Sequence, residues 1–134
     1  MKVNPAIEAD TFSITSTEFS NIRLMNDKRW PWLMALPLNS DATELHQLSD
    51  VQRIGFLNDI NTLSNLLQSF THCKSVNIAM LGNVVSALHC HVVARDPADP
   101  NWPAPIWGFE KAIAYADTLP SELIRHIESG IHRP

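Results

Sequence analysis

Two histidines separated by a single residue are the strongest chemical signal in the sequence. They lie in the run ALHCHVV at residues 87–93, whose other members are apolar. In a β-strand alternate side chains share a face, so His89 and His91 would project together, about 6.6 Å apart, while Leu88, Cys90 and Val92 enter the core. This spacing lets both imidazoles act on one substrate, although it is too long for a direct bond between them.

Three interpretations of this pair remain open on spacing alone. In the first, the histidines line a half-exposed sheet face and do no chemistry. In the second they hold a zinc ion, which needs a third ligand. In the third, one imidazole is a nucleophile or acid-base group, because imidazole is neutral near pH 7 and attacks phosphorus when its other nitrogen is held in one tautomer. The remaining candidate zinc ligands stand at no telling spacing: His46, His72, His126, His132 and Cys73.

The elements that must position the pair are predicted by hydrophobic periodicity and turn residues. Short apolar runs predict strands at residues 11–17, 22–25, 32–36, 76–81 and 88–94, with a hairpin turn at Asn26 and Asp27. Ser49 and Gln52 have the spacing of a capping box, and apolar residues from Ile54 to Phe70 predict a long helix after it. Residues 96–108 hold four prolines and predict an irregular loop, and residues 121–129 predict a last helix that ends before Gly130. The fold class is therefore α+β, an antiparallel sheet of about five strands with one long helix packed on it and a C-terminal helix.

Length and composition limit the classes of protein that fit. With 134 residues, the chain is the size of one domain. A formal net charge of -4 argues against a partner that is a nucleic acid polymer. Two distant cysteines do not make a disulfide framework, and no run has the ~18 apolar residues of a membrane span, nor does the N-terminus carry a signal-peptide core. We expect a soluble cytoplasmic protein.

Two segments together resemble a known family. The run LGNVVSALHCHVVAR at residues 81–95, followed by Trp102-Pro103 and Trp107-Gly108, is similar to the signature region of the histidine triad (HIT) family, whose pattern is His-φ-His-φ-His-φ-φ with φ apolar. The run LMNDKRWPWLMALP at residues 24–37 is similar to the nucleotide-facing strand pair of a bacterial branch of HIT-like hydrolases. The resemblance covers about residues 10–110. It implies a single HIT-like domain over 1–134, with its core at about 10–110 and a C-terminal helical extension at 111–134.

The resemblance also implies a reaction, with a gap in its machinery. His89 holds the place of the nucleophile that attacks the α-phosphate of a nucleotide to give a nucleotidyl-histidine, and His91 the place of the histidine that orients the phosphate. Ala87 stands where the first triad histidine is expected, and Trp32 where many relatives have a further histidine. The implied function is a hydrolase or nucleotidyl transferase acting on dinucleoside polyphosphates or nucleoside phosphoramidates. The alternative is a nucleotide-binding protein with little or no turnover because of Ala87.

Four further residues are candidates for binding the nucleotide. Gly82 and Asn83 precede the histidines, where backbone amides and a side-chain amide can contact phosphate, although a plain turn explains them equally well. Asp27 holds the place where relatives bind both ribose hydroxyls, and Arg95 is a phosphate candidate by position, with a surface ion pair as its simpler role. Trp102 and Trp107 either close the site or anchor the loop. The resemblance implies a homodimer and no resident cofactor, with a divalent metal ion entering only with the substrate.

Overall fold

The protein is a five-stranded antiparallel sheet with a long helix on one face. The computed structural model describes residues 2–133. The elements in chain order are α1 (Pro5–Asp10), β1 (Thr11–Ser16), β2 (Ser20–Met25), β3 (Trp32–Pro37), a 3-10 turn (Leu45–Gln47), α2 (Asp50–Thr71), β4 (Ser75–Ala79), β5 (Cys90–Arg95) and α3 (Ser121–Ile131). This confirms the predicted α+β class and strand number.

The strand order is β1-β2-β3-β5-β4, so β5 lies inside the sheet. The predicted hairpin between β2 and β3 is confirmed, and β4 pairs with β5. In the register of the sheet, Met34 pairs with Arg23 on one side and with His91 on the other. Because neighbours across antiparallel strands share a face, Arg23, Met34 and His91 form one row on the face opposite the long helix.

Helix α2 begins with the predicted capping box, in which Ser49 and Gln52 each bond the other's backbone amide. Its buried stripe follows the helical period and packs on the sheet. The sequence pattern predicts a stripe of seven apolar residues, which is wrong at the exposed Ile54, Leu57 and Phe70 and omits the buried Phe56. The predicted members are Ile54, Leu57, Ile60, Leu63, Leu66, Leu67 and Phe70. A helix on a sheet buries one stripe, and the three exposed residues lie beside it. The buried members are Gly55, Phe56, Ile60, Leu63 and Leu67.

The C-terminal residues are part of the same core. Leu123 and Ile127 of α3 are buried in one cluster with the inner residues of the sheet and α2. Gly130 lies inside α3, not past its end as predicted, and a Cβ built there would stand 2.4 Å from Leu66 Cδ2. The absence of a side chain at Gly130 therefore lets α2 and α3 approach closely. Helix α3, which lies in the predicted C-terminal extension, is thus part of the folded core.

Element boundaries differ from the prediction around the histidines. Strand β4 ends at Ala79 and β5 begins at Cys90, so residues 80–89 form a loop and His89 lies directly before its strand. Helix α1 was not predicted, because six residues with Pro5 at the start carry no helical period. No helix within residues 2–133 is long and apolar enough to cross a membrane.

Candidate active site

The two histidines lie side by side on the sheet face opposite α2. Leu88, Cys90 and Val92 are buried in the main core, as predicted, which sends the intervening side chains to the other face. The imidazole centroids of His89 and His91 are 4.9 Å apart, and the rings are nearly perpendicular at 81°. The prediction that both rings project on the same side is therefore confirmed. Each residue is only 6% exposed, so the pair is enclosed.

His89 is held in one tautomer by the backbone. Its Nδ1 lies 2.6 Å from the carbonyl oxygen of Ala87. A carbonyl oxygen only accepts hydrogen bonds, so Nδ1 carries the proton and donates it. The lone pair of the neutral ring then resides on Nε2, which is the arrangement of an imidazole ready to act as a nucleophile.

Trp32 holds His91 in the opposite tautomer to that of His89. The indole Nε1 of Trp32 donates to Nδ1 of His91 at 3.0 Å, and indole can only donate. Nδ1 is therefore the acceptor, and Nε2 of the neutral ring carries hydrogen. Burial, followed by the charge of His89, lowers the pKa of His91 from 6.5 to about 4. At neutral pH, His91 is thus an uncharged hydrogen-bond donor through Nε2.

Two tryptophans form an aromatic wall around His91. The ring centroid of Trp107 is 4.6 Å from that of His91 and 5.6 Å from that of Trp32. Trp107 is 37% exposed, so it bounds the site rather than filling the core. Trp107 thus lies at the edge of the histidine pair, and its role in closing the site stays a prediction. Trp102 lies away from the histidines, near the charged groups of Arg95 and Lys74.

Three cavities adjoin this face. A small one of about 70 Å³ is lined by His89, Ala87 and Gly82 together with residues of the 43–45 segment. A second of about 360 Å³ lies on the other side of Ala87, between the N-terminal segment and residues 36–43. A third of about 370 Å³ lies beyond Trp32 and Trp107 and includes Asp27 and Phe109 in its wall. The larger two are within the size range of small-ligand sites.

Gly82 and Asn83 both lie in the loop before the histidines. Gly82 is in the wall of the small cavity beside His89. A Cβ at Gly82 would meet only the Ser86 carbonyl oxygen at 3.9 Å, an ordinary contact, so the fold itself does not require glycine there. Asn83 is exposed. The structure therefore brings Gly82, but not the side chain of Asn83, to the surface that adjoins His89.

Asp27 is buried and already paired. Its Oδ2 accepts from Arg29 Nη2 at 2.8 Å, and its Oδ1 accepts from the backbone and Nε of Arg29 at 3.1 and 3.0 Å. Arg29 also donates to the carbonyl of Phe109. Burial acts to raise the pKa of Asp27, but hydrogen bonds from Arg29 and from the Ile113 amide outweigh it and hold the pKa below 3.8. Asp27 thus lines the third cavity with its carboxylate engaged, and it ties the turn after β2 to the C-terminal segment.

Arg95 is not brought to the histidine pair. Its Nε lies 2.7 Å from Asp99 Oδ2, and other nitrogens of its guanidinium donate to Asn77 Oδ1 and the Ala104 carbonyl. The residue is 1% exposed, so the expected ion pair exists but is buried rather than at the surface. Arg95 lies four residues, about 13 Å, along β5 from His91. Burial raises the pKa of Asp99, yet hydrogen bonds led by Arg95 lower it to about 2. This pair anchors the proline-rich loop.

Among residues 2–133, the histidine pair is not part of a larger group of metal-ligating side chains. Within residues 2–133, no three side chains of His, Cys, Asp or Glu come together as a group that could hold a metal ion. The zinc interpretation of the histidine pair therefore finds no third protein ligand in the described part of the chain.

Two adjacent imidazoles at the start of an inner strand of a five-stranded antiparallel sheet are the features to set beside known proteins. Residues 6–98 match the HIT domain family, and the chain belongs to it. HIT proteins in general bind nucleotides and act as hydrolases or transferases. The resemblance found in the sequence is thereby confirmed at the level of the family and the fold.

Three solved structures show how far the likeness extends. A histidine triad protein from Bradyrhizobium japonicum is 32% identical, with a TM-score of 0.93 over 97% of both chains. One from Sinorhizobium meliloti is 34% identical, with a TM-score of 0.91 over 96% of both chains. A third, from Marinobacter aquaeolei, is 28% identical, with a TM-score of 0.91 over 97% of this chain and 95% of that one. Among curated proteins, none matches the chain significantly.

Proposed function

We propose that the protein is a nucleotide hydrolase or nucleotidyl transferase that cleaves at the α-phosphate of nucleoside phosphates. The observation that carries the proposal is the fixed tautomer of His89, whose Nδ1 is bound to the Ala87 carbonyl and whose Nε2 is free to attack. His91 supports it as a neutral donor that can bind a phosphate oxygen through Nε2. The reaction draws its nucleophile from the chain and needs no resident cofactor; a divalent ion would arrive with the substrate.

The proposed reaction has two steps. Nε2 of His89 attacks the α-phosphorus, the bond to the leaving group breaks, and a nucleotidyl-histidine forms. Water then attacks the same phosphorus and releases the nucleoside monophosphate, or an acceptor alcohol or phosphate takes the place of water in a transferase. His91 holds a non-bridging oxygen throughout. The Ala87 carbonyl stabilises the positive charge that His89 carries after attack, because it accepts from Nδ1.

The third cavity is the proposed position of the nucleoside. Its walls include the rings of Trp32, Trp107 and Phe109, and aromatic faces are suited to stacking on a nucleobase. Asp27 lies in the same wall. Because its carboxylate oxygens are bound to Arg29, a ribose hydroxyl would share or displace that ion pair.

Replacing the nucleophile tests this function. His89→Gln should lower turnover of a dinucleoside polyphosphate by at least about 10³-fold, because removal of a nucleophile abolishes the covalent route. His46→Gln, at an exposed histidine, is the matched control and should keep wild-type turnover. Mass spectrometry of wild type quenched with denaturant at alkaline pH, where a P–N bond survives, should also show a nucleotidyl adduct that His89→Gln lacks. Equal turnover by His89→Gln and wild type would refute the assignment.

A nucleotide-binding protein without turnover is the second candidate, and Ala87 favours it. The side chain at this position is a methyl group, so no third imidazole adjoins His89. Calorimetry with a nucleoside monophosphate, combined with product analysis after long incubation, separates the two functions. Saturable heat with a nucleotide, and no product from any nucleoside phosphate, would favour the binding protein.

We also propose that the chain forms a homodimer through its sheet edge. Strand β4 lies at one edge of the sheet, and Ile78 on it is 48% exposed. Unpaired edges of this kind tend to be covered by another chain. Analytical ultracentrifugation should give twice the chain mass, and Ile78→Lys should shift the distribution towards the monomer.

A further inference from the structure

Neither histidine of the site has a proton to give to a leaving group. In His89, the proton sits on Nδ1 and is held by the Ala87 carbonyl, while Nε2 is consumed by the attack. In His91, the indole N–H of Trp32 occupies Nδ1, and a second proton there would place two N–H groups against each other. The low pKa of His91, about 4, agrees with this geometry. A neutral imidazole N–H is a hydrogen-bond donor but not an acid near pH 7.

The other ionisable groups near His89 do not fill this role. The small cavity beside His89 includes Glu44, and the cavity across Ala87 includes Lys2 and Asp41. All three residues are exposed. Because they face solvent, none of them is enclosed together with the imidazole pair. Of the two cavities, Lys2 lines the one beyond Ala87 and not the one beside His89. Among residues 2–133, these are the ionisable side chains that line the two cavities, His89 excepted.

We infer that the site selects leaving groups that depart as anions, namely phosphoric or carboxylic anhydrides of nucleoside monophosphates, and discriminates against nucleoside phosphoramidates. The inference rests on the proposed function, which it narrows to one of two substrate classes. A phosphate or carboxylate group leaves as a stable anion and needs no proton. An amine must be protonated on nitrogen before the P–N bond breaks, and general acid catalysis of such a step contributes about 10² to 10⁴ in rate.

The bonds and charges balance without an acid. The lone pair of His89 Nε2 forms the N–P bond, and the electron pair of the breaking P–O bond leaves with the departing phosphate or carboxylate. His89 keeps its Nδ1 proton and becomes a cationic nucleotidyl-imidazole. In the second step, water forms the new P–O bond, the N–P electron pair returns to Nε2, and the proton of the water passes to solvent.

Ala87 supplies the space for such a leaving group. Ala87 belongs to the walls of both cavities, of about 70 and 360 Å³. Thr43 and Leu88 are also shared walls. A larger side chain at residue 87 would occupy this space, and an imidazole there would also bring a titratable group beside the leaving group.

A leaving-group series tests the inference. The probes are aryl esters of adenosine 5′-monophosphate built on phenols of graded acidity, together with diadenosine tetraphosphate and adenosine 5′-phosphoramidate. The wild type should show kcat/KM that falls steeply as the phenol becomes less acidic, and it should cleave the anhydride at least about 100-fold faster than the phosphoramidate. Ala87→His should narrow that gap at least about tenfold and flatten the series, because it adds a proton donor. Ala87→Asn, similar in size but not titratable, should do neither.

Each outcome bears on a different claim. A flat series in the wild type, or a phosphoramidate cleaved as fast as the anhydride, overturns the leaving-group inference while the proposed function stands. Equal changes in Ala87→His and Ala87→Asn also overturn it, because size rather than proton donation would then account for the effect. Absence of turnover with every probe rejects the proposed function itself, and the inference falls with it.

Discussion

Acid should destabilise the fold through His91, because the folded protein resists protonation of this ring. The pKa of His91 is about 4 in the folded chain against 6.5 for an ordinary histidine. Between these two values the unfolded chain binds a proton that the folded chain does not, so stability is complete above pH 6.5 and is lost as the pH falls towards 4. Linkage gives a loss of about 2 kcal/mol on going from pH 7 to pH 5, and about 3 kcal/mol at pH 4.

Urea denaturation at several pH values measures this effect. His91→Gln removes the titrating ring. The free energy of unfolding of this variant should therefore change by less than about 0.5 kcal/mol between pH 7 and pH 5. His46→Gln is the matched control at an exposed position and should lose stability as the wild type does. Above pH 5 the ion-paired carboxylates Asp27 and Asp99, whose pKa values are lowered, remain charged and contribute no slope.

Nitrogen NMR of the imidazole rings measures the protonation state of His91 directly. The spectrum should show His91 as the Nε2–H tautomer from pH 8 to about pH 5, with protonation only below that range. If His91 titrates near pH 6.5, or if His91→Gln and wild type lose equal stability in acid, the argument from burial and the Trp32 hydrogen bond is wrong.

Two further predictions concern packing. Arg95→Met should cost about 3–5 kcal/mol of stability in urea denaturation, because it leaves the Asp99 carboxylate buried without its partner, and adding Asp99→Asn should restore part of the loss. Gly55→Ala should cost about 1–3 kcal/mol of stability, because the new Cβ would stand 2.3 Å from the ring of Phe19. This cost should shrink in a Phe19→Ala background. An unchanged melting temperature in Gly55→Ala would contradict the close contact.

Local patterns in the sequence were sufficient for much of the fold. The capping box at Ser49 and Gln52 depends on residues three apart, and the side on which His89 and His91 project depends on strand alternation. Both are properties of short segments, so both could be predicted. The buried residues of α2 were harder to predict. The helix holds more apolar residues than the sheet can cover, and periodicity alone does not indicate which of them face the sheet.

The contacts that define the site's chemistry are non-local and could not be predicted in this way. Trp32 reaches His91 only because β3 pairs with β5 in a register that opposes Met34 to His91. Nothing near residue 32 or residue 91 specifies that register. Likewise, Asp27 accepts a hydrogen bond from the amide of Ile113, a residue 86 positions away.

The orientation of the His89 ring does not depend on the side chain at residue 87. The group that orients His89 is the backbone carbonyl of Ala87, and any amino acid at this position supplies one. Trp32, at the other end of the pair, is a donor that cannot titrate or relay a proton. Under the proposed function, the carbonyl of Ala87 and the indole of Trp32 orient the two imidazoles, and neither group supplies a proton to the leaving group. A substrate whose own leaving group is already a weak base would suit such a site.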